Sequence, residues 1–172
     1  VIVCVAMGLT CLFGYLINRF DGFEHRSIMG DAHIAHAGSI GHDEYHRVVV
    51  NRFLPCANQK VLTDAGDWLG IKRCFQSKSS DHPDLLLLGD SHAEHLFPGL
   101  AEQLSGLNVV FHGKGSLPFH DNPDYAVIFD EILKSPAHYP ILISAQWHTR
   151  INQIPKGESL AKKLSETIER LE

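Results

Sequence analysis

The 172 residues contain no basic run longer than Lys162-Lys163, and the net charge is −5. Nucleic acid is therefore a poor candidate partner. None of the four cysteines, Cys4, Cys11, Cys56 and Cys74, forms a C-x-x-C pair, which excludes a zinc ribbon and a thioredoxin-like redox motif. Charge itself is missing from residues 1–18 (VIVCVAMGLTCLFGYLIN). At about 1.5 Å rise per residue, such a run just spans a bilayer core when helical. A core helix without a polar face over this length is uncommon in a small domain, so a transmembrane helix is expected at 1–18. A secretory signal fits poorly, because no positively charged stretch precedes the apolar run. Cys4 and Cys11 fall inside that run and read as small hydrophobes.

What the chain has in excess is histidine, with twelve. His33-x-x-His36 and His42-x-x-x-His46 could each set two imidazoles on one helical face. No cysteine or carboxylate completes a ligand pattern there, and Gly22, Gly30, Gly38 and Gly41 argue against continuous helix. Neither a metal nor a cofactor is expected. Residues 19–80 read as a polar extension, with a helical piece over 43–52 whose apolar face would be Tyr45, Val48, Val49 and Phe53. Cys56 and Cys74 bracket a short polar loop. In a reducing compartment they would be free thiols, and in an oxidising one they are natural disulfide partners. The preceding apolar span favours the bond, which by loop entropy would contribute about 3 kcal/mol.

The chemistry concentrates further on. Leu85 to Leu88 is an uninterrupted apolar run that ends in Gly89-Asp90-Ser91-His92. Such a run bounded by turn residues reads as a buried strand of a parallel sheet. Sites in open α/β sheets lie just outside the carboxyl ends of these strands, where Ser91 would be presented as a nucleophile. Gly-Asp-Ser is also ordinary turn chemistry. Pro98 suits the first turn of a following helix, and Leu96, Leu100 and Leu104 would pack that helix on the sheet. Residues 107–111 read as a second strand, leading into His112-Gly113-Lys114-Gly115-Ser116-Leu117-Pro118. Two glycines there let backbone N–H groups approach a ligand. Asn122-Pro123 caps a helix over 125–134, residues 141–145 form a third strand ending at Gln146-Trp147-His148-Thr149-Arg150, again at the edge where a site would sit, and Leu160, Leu164, Ile168 and Leu171 mark a last amphipathic helix. The strand–helix–strand order gives an α/β fold, flavodoxin-like, with three α/β/α layers around a parallel sheet. Only three strands are legible, so the sheet reads as incomplete.

The string LLLLGDSHAEHLFPGL resembles the first signature block of the SGNH hydrolase superfamily. More narrowly it resembles the SGNH domain fused to the carboxyl end of membrane-bound acyltransferase-3 proteins, bacterial O-acyltransferases that modify lipopolysaccharide O-antigen, peptidoglycan or other exported glycans. The apolar amino-terminal run, the two cysteines upstream and the Gly115-Ser116-Leu117-Pro118 segment agree with that likeness. The resemblance implies a membrane helix at 1–18, a periplasmic extension at 19–80 and the first part of the SGNH domain at 81–172. It implies Ser91 as nucleophile, with the N–H groups of Ser91 and Gly115 as oxyanion donors. Asp90, His92, Trp147 and His148 are further candidates, Asp90 as an acid shaping the turn and His148 as an internal rival for the base. Two departures matter. The segment Ser144-Ala145-Gln146-Trp147-His148 has no Asn for a third donor, and no Asp-x-x-His follows Ser91. Asp43-Glu44-Tyr45-His46 has the spacing but lies upstream and is not assigned. The implied triad partners lie beyond Glu172, and these residues alone would be inactive. The implied partners are a glycan acceptor, the lipid bilayer and an acyl group handed over by a membrane domain, with the site on the periplasmic side of the bacterial inner membrane. A non-catalytic glycan-docking domain and a soluble esterase are the alternatives.

Overall fold

A computed structural model describes Tyr15 and residues 42–171. The expected span at 1–18, apart from Tyr15, lies outside the described residues, as do Cys4, Cys11, His25, His33 and His36. No helix among the described residues is long and apolar enough to cross a membrane. The sheet belongs to the second of two units, His46–Glu172.

Helix α1 (His42–Arg52) leads into a short strand, β1 (Leu54–Pro55), and helix α2 (Gln59–Asp64). A two-stranded hairpin, β2 (Asp67–Trp68) and β3 (Ile71–Lys72), precedes β4 (Cys74–Gln76). Then come β5 (Leu85–Gly89), α3 (Ser91–Gln103) and β6 (Val109–Gly113). A 3-10 turn, Pro123–Tyr125, opens α4 (Ala126–Lys134), followed by β7 (Ile141–Ser144), the short α5 (Trp147–Arg150) and α6 (Leu160–Leu171).

The sheet has five strands in the order β1-β4-β6-β5-β7. β6, β5 and β7 are parallel, whereas β4 and β1 add antiparallel at the β6 edge. This corrects two expectations. The sheet is mixed, and residues 54–76, expected within the extension before the domain, supply two of its strands. The physical reason is covalent as well as hydrogen-bonded. Cys56 and Cys74 are disulfide-bonded with Cα atoms 5.4 Å apart, and Cys56 N–H donates to Cys74 C=O at 3.1 Å, which fastens the β1 edge to β4.

β5 explains the layering. Leu86, Leu87 and Leu88 are fully buried, and successive side chains point to opposite faces. Leu86 and Leu88 pack with Val61, Ala65, Cys56, Cys74, Tyr125, Ile128 and Phe129 on the α2/α4 face. On the other face Phe97 of α3 meets Phe111 at 6.0 Å, Phe75 at 6.3 Å and Phe53 at 4.7 Å between ring centroids. Helix α3 begins at Ser91 itself, so Pro98 stands inside it rather than in its first turn. The buried face is Ala93, Phe97 and Ala101, while Leu96 is exposed. The stripe is thus one residue out of phase with the expected Leu96–Leu100–Leu104. The cause is the cap, because the Asp90 carboxylate accepts from His92 N–H at 2.9 Å and starts the helix there.

Candidate active site

The chain crosses from β5 to β6 by way of α3 on one face, and from β6 to β7 by way of α4 on the other. β5 therefore has β6 on one side and β7 on the other. The order reverses at β5, which makes its carboxyl end the topological switch point where α/β sheets gather their ligands. The turn Gly89-Asp90-Ser91 stands there. Gly89 has φ +153°, and a Cβ on it would lie 1.6 Å from the Ser144 carbonyl oxygen of β7, so no side chain fits between these strands.

Asp90 is the hub of this edge. It is 1 % exposed, and its carboxylate accepts from three directions. These donors are His92 N–H at 2.9 Å, Gln146 N–H at 2.9 Å and Arg150 Nε at 2.7 Å. Burial pushes its pKa up, but the Gln146 and His92 amides and the Arg150 guanidinium outweigh burial and hold it below the usual value of 3.8. The expected acid shaping the turn is thus an ionised cap that ties the turn after β5 to the turn after β7.

Ser91 is half-buried at the first position of α3. Among the described residues its hydroxyl makes no hydrogen bond, and neither its N–H nor that of Gly115 is engaged. Gly115 is exposed, with open space where a Cβ would stand. Around it the turn after β6 is held firmly. Lys114 N–H donates to Gly89 C=O at 3.0 Å, the buried Tyr125 hydroxyl lies 3.1 Å from that same carbonyl and 3.3 Å from Ser116 C=O, and Arg150 Nη1 donates to Gly115 C=O. The disulfide-closed loop supports the turn from behind. Gly66 N–H donates to Gly113 C=O and Gly113 N–H to Arg73 C=O, both at 2.8 Å, and Lys114 Nζ pairs with Asp64 at 3.0 Å. His112 beneath the turn is fully buried, and burial, then the nearby Lys114 charge, push its pKa down to about 4.

The other candidates expected from the sequence separate. His92 is half out in solvent, with Nδ1 3.4 Å from Asp90 Oδ1, so it flanks the cap. His148 is exposed on α5 and makes no hydrogen bond or ion pair among the described residues. Trp147 packs 6.5 Å from Phe119 in a cluster with Leu117, Ala145, Leu160 and Leu164. His46 is buried, with Nδ1 3.0 Å from Glu94 Oε1, which places it in the scaffold. No imidazole is hydrogen-bonded to Ser91 Oγ among the described residues. No group of three or more His, Cys, Asp or Glu side chains able to hold a metal occurs among them either.

Tyr125 is a site residue that sequence reasoning misses, and Arg150 is placed by it at the strand edge without a role. The available signal is an arginine shortly after a strand end, opposite an acid at the end of a neighbouring parallel strand. A tyrosine inside an apolar helix start gives no such sign.

Ser91 thus sets a hydroxyl at the first position of a helix on the switch point, a placement that suits a nucleophile in acyl transfer. The sequence pattern of the family described as "SGNH domain (fused to AT3 domains)" matches residues 55–172, and the chain belongs to that family. The match starts at Pro55, in agreement with β1 and β4 being part of the sheet. Neither a curated protein nor a solved structure matches the chain.

Proposed function

We propose that this chain is the SGNH portion of an acyltransferase-3-linked O-acyltransferase, and that it moves an acyl group, acetyl in the simplest case, through an ester on Ser91 to a hydroxyl of an exported glycan. The observation that carries this reading is the position of Ser91, first in α3 at the switch point, with its own N–H and that of Gly115 both unengaged among the described residues. Ser91 Oγ attacks the acyl carbonyl, its proton passing to an imidazole base. The two amides take up the charge that develops on the carbonyl oxygen, and the donor's leaving group departs with a proton. A sugar hydroxyl then attacks the ester by the reverse path. The base and its orienting carboxylate are supplied from residues outside those described.

The placement on the periplasmic side of a bacterial inner membrane is supported by the Cys56–Cys74 disulfide and by the uncharged run at 1–18. The membrane part supplies the acyl donor, and the glycan reaches Ser91 from the open edge of the sheet. The test is Ser91→Ala in the full-length protein, followed by acyl groups on the exported glycan and by mass spectrometry of an acylated Ser91 peptide. The expected loss in turnover is on the order of a thousandfold or more. Unchanged glycan acylation by Ser91→Ala would sink the proposal. Glycan binding with no acylation by the wild-type protein would favour the docking alternative.

A further inference from the structure

The geometry points to Arg150 as a positioning residue that orients the Gly115 N–H as an oxyanion donor by bracing the next peptide, Gly115–Ser116, against the Asp90 cap. This inference rests on the Ser91 acyl-transfer reading. Gly115 has no Cβ, and nothing lies within 4 Å of where one would be. A glycine in open space samples both signs of φ freely, and an amide that wanders cannot stabilise a developing charge without first being reorganised. The neighbouring peptides are pinned, since Lys114 N–H is held on Gly89 C=O at 3.0 Å and Ser116 C=O lies 3.3 Å from the Tyr125 hydroxyl. Among the described residues the Gly115 carbonyl takes one bond, from Arg150 Nη1, which holds the Gly115–Ser116 peptide, so the Lys114–Gly115 peptide that carries the donor N–H lies between two held peptides.

The same guanidinium places Nε 2.7 Å from Asp90 Oδ2. A guanidinium is a rigid planar fork. Two of its nitrogens on two acceptors therefore set the spacing between the turn after β5, which carries Ser91, and the turn after β6, which carries Gly115. Asp90 is in turn fixed by Gln146 N–H at 2.9 Å. Arg150 thus closes a loop of contacts through all three strand ends, with no hydrogen bond to Ser91 among the described residues. An ammonium in the same place could balance the Asp90 charge but could not span both acceptors in a fixed plane.

The test uses the full-length protein with Arg150→Lys, Arg150→Gln and Ser91→Ala. It reads Ser91-dependent turnover of an aryl acetate, hydrogen exchange over residues 113–117, and thermal melting. Arg150→Lys is expected to melt near the wild type yet to lose about tenfold to a hundredfold in kcat, below the full loss of one donor, with KM within about twofold, the pattern of an interaction made in the transition state. Exchange over 113–117 should rise in both Arg150 variants and not in Ser91→Ala. Wild-type kcat in Arg150→Lys would overturn the inference, because charge alone would then suffice. Unchanged exchange over 113–117 would overturn it as well. If Ser91→Ala leaves aryl acetate turnover intact, the acyl-transfer reading fails, and the exchange comparison alone then decides whether Arg150 holds the turn.

Discussion

Asp90 and Glu94 stand one helical turn apart at the start of α3, each 1 % exposed, yet they hold different parts of the molecule. Asp90 faces the carboxyl edge of the sheet, and two of its donors are backbone amides. Glu94 faces inward, where its carboxylate meets side chains. Arg73 Nε and Nη2 reach its Oε2 at 2.9 and 2.5 Å, and His46 Nδ1 lies 3.0 Å from its Oε1. Asp90 thus joins the three turns that surround Ser91, whereas Glu94 joins α1 and the segment before β4 to the helix that carries Ser91. Equal burial has been put to unequal use. Backbone amides at Asp90 stay in place whatever side chain changes nearby, whereas Arg73 and His46 can each be deleted by a single substitution.

The largest expected effect follows from that difference. Glu94→Ala leaves Arg73, only 11 % exposed, without its carboxylate, and breaking a buried pair in this way costs about 3–5 kcal/mol. Urea unfolding should show the loss as a lower midpoint with little change in slope. Replacing both partners, as Glu94→Leu with Arg73→Met, should recover most of it, because the remaining charge goes with the lost one. A Glu94→Ala loss below about 1 kcal/mol, the range of exposed pairs, would mean that the cluster is not what fastens α1.

Asp90→Asn is the milder change for stability and the harsher one for chemistry. An asparagine oxygen still caps α3, but Arg150 and the Gln146 amide lose a charged acceptor, at about 2 kcal/mol for bonds of that kind. The sign with pH is fixed by the lowered folded pKa of Asp90. Its contacts contribute fully above the unfolded value near 3.8 and are lost as pH falls through the lower folded value. The stability gap between wild type and Asp90→Asn should therefore stay flat above about pH 5 and close in stronger acid. A gap that instead widens in acid would show that Asp90 is not ionised in the fold. Ser91-dependent turnover should fall more steeply than stability, since all three turns share this acid.

How far the sequence reveals this contrast depends on how local each signal is. The β5 strand and its terminal turn are legible, because an apolar run, a glycine and a turn-forming acid are neighbours in the chain, whereas the capping role of Asp90 is not, because Pro98 draws the expected first turn of the helix further along. The cysteine loop is legible as a loop, but its strands are not. β1, β2, β3 and β4 are two or three residues each, too short for alternation to register, and they exist through pairing and the disulfide rather than through propensity. The phase of α3 is hidden because its leucine stripe begins on the exposed face at Leu96, while the buried face uses Ala93, Phe97 and Ala101. Glu94 belongs to that same buried face, and no local pattern announces a partner that is 21 residues away at Arg73. Arg150 reaches Asp90 across 60 residues. Such contacts become visible only when the topology brings strand ends together.

The smallest expected effect tests the principle behind the contrast. Arg52 Nη1 and Glu102 Oε1 are 2.6 Å apart, about as short as the Arg73–Glu94 contact at 2.5 Å, but these side chains are 44 % and 39 % exposed. Water and salt screen such a pair, and ordering two long side chains offsets much of the remainder, so Glu102→Gln should cost less than about 1 kcal/mol. That small loss should also vanish in high salt, while the Glu94→Ala loss should hardly respond. The two Arg–Glu pairs have nearly the same shortest distance and differ in burial, with Glu94 also taking a second bond from Arg73 and a contact from His46. A Glu102→Gln loss as large as that of Glu94→Ala would mean that proximity alone sets the worth of these pairs, and the different roles of Asp90 and Glu94 could then no longer be argued from their surroundings.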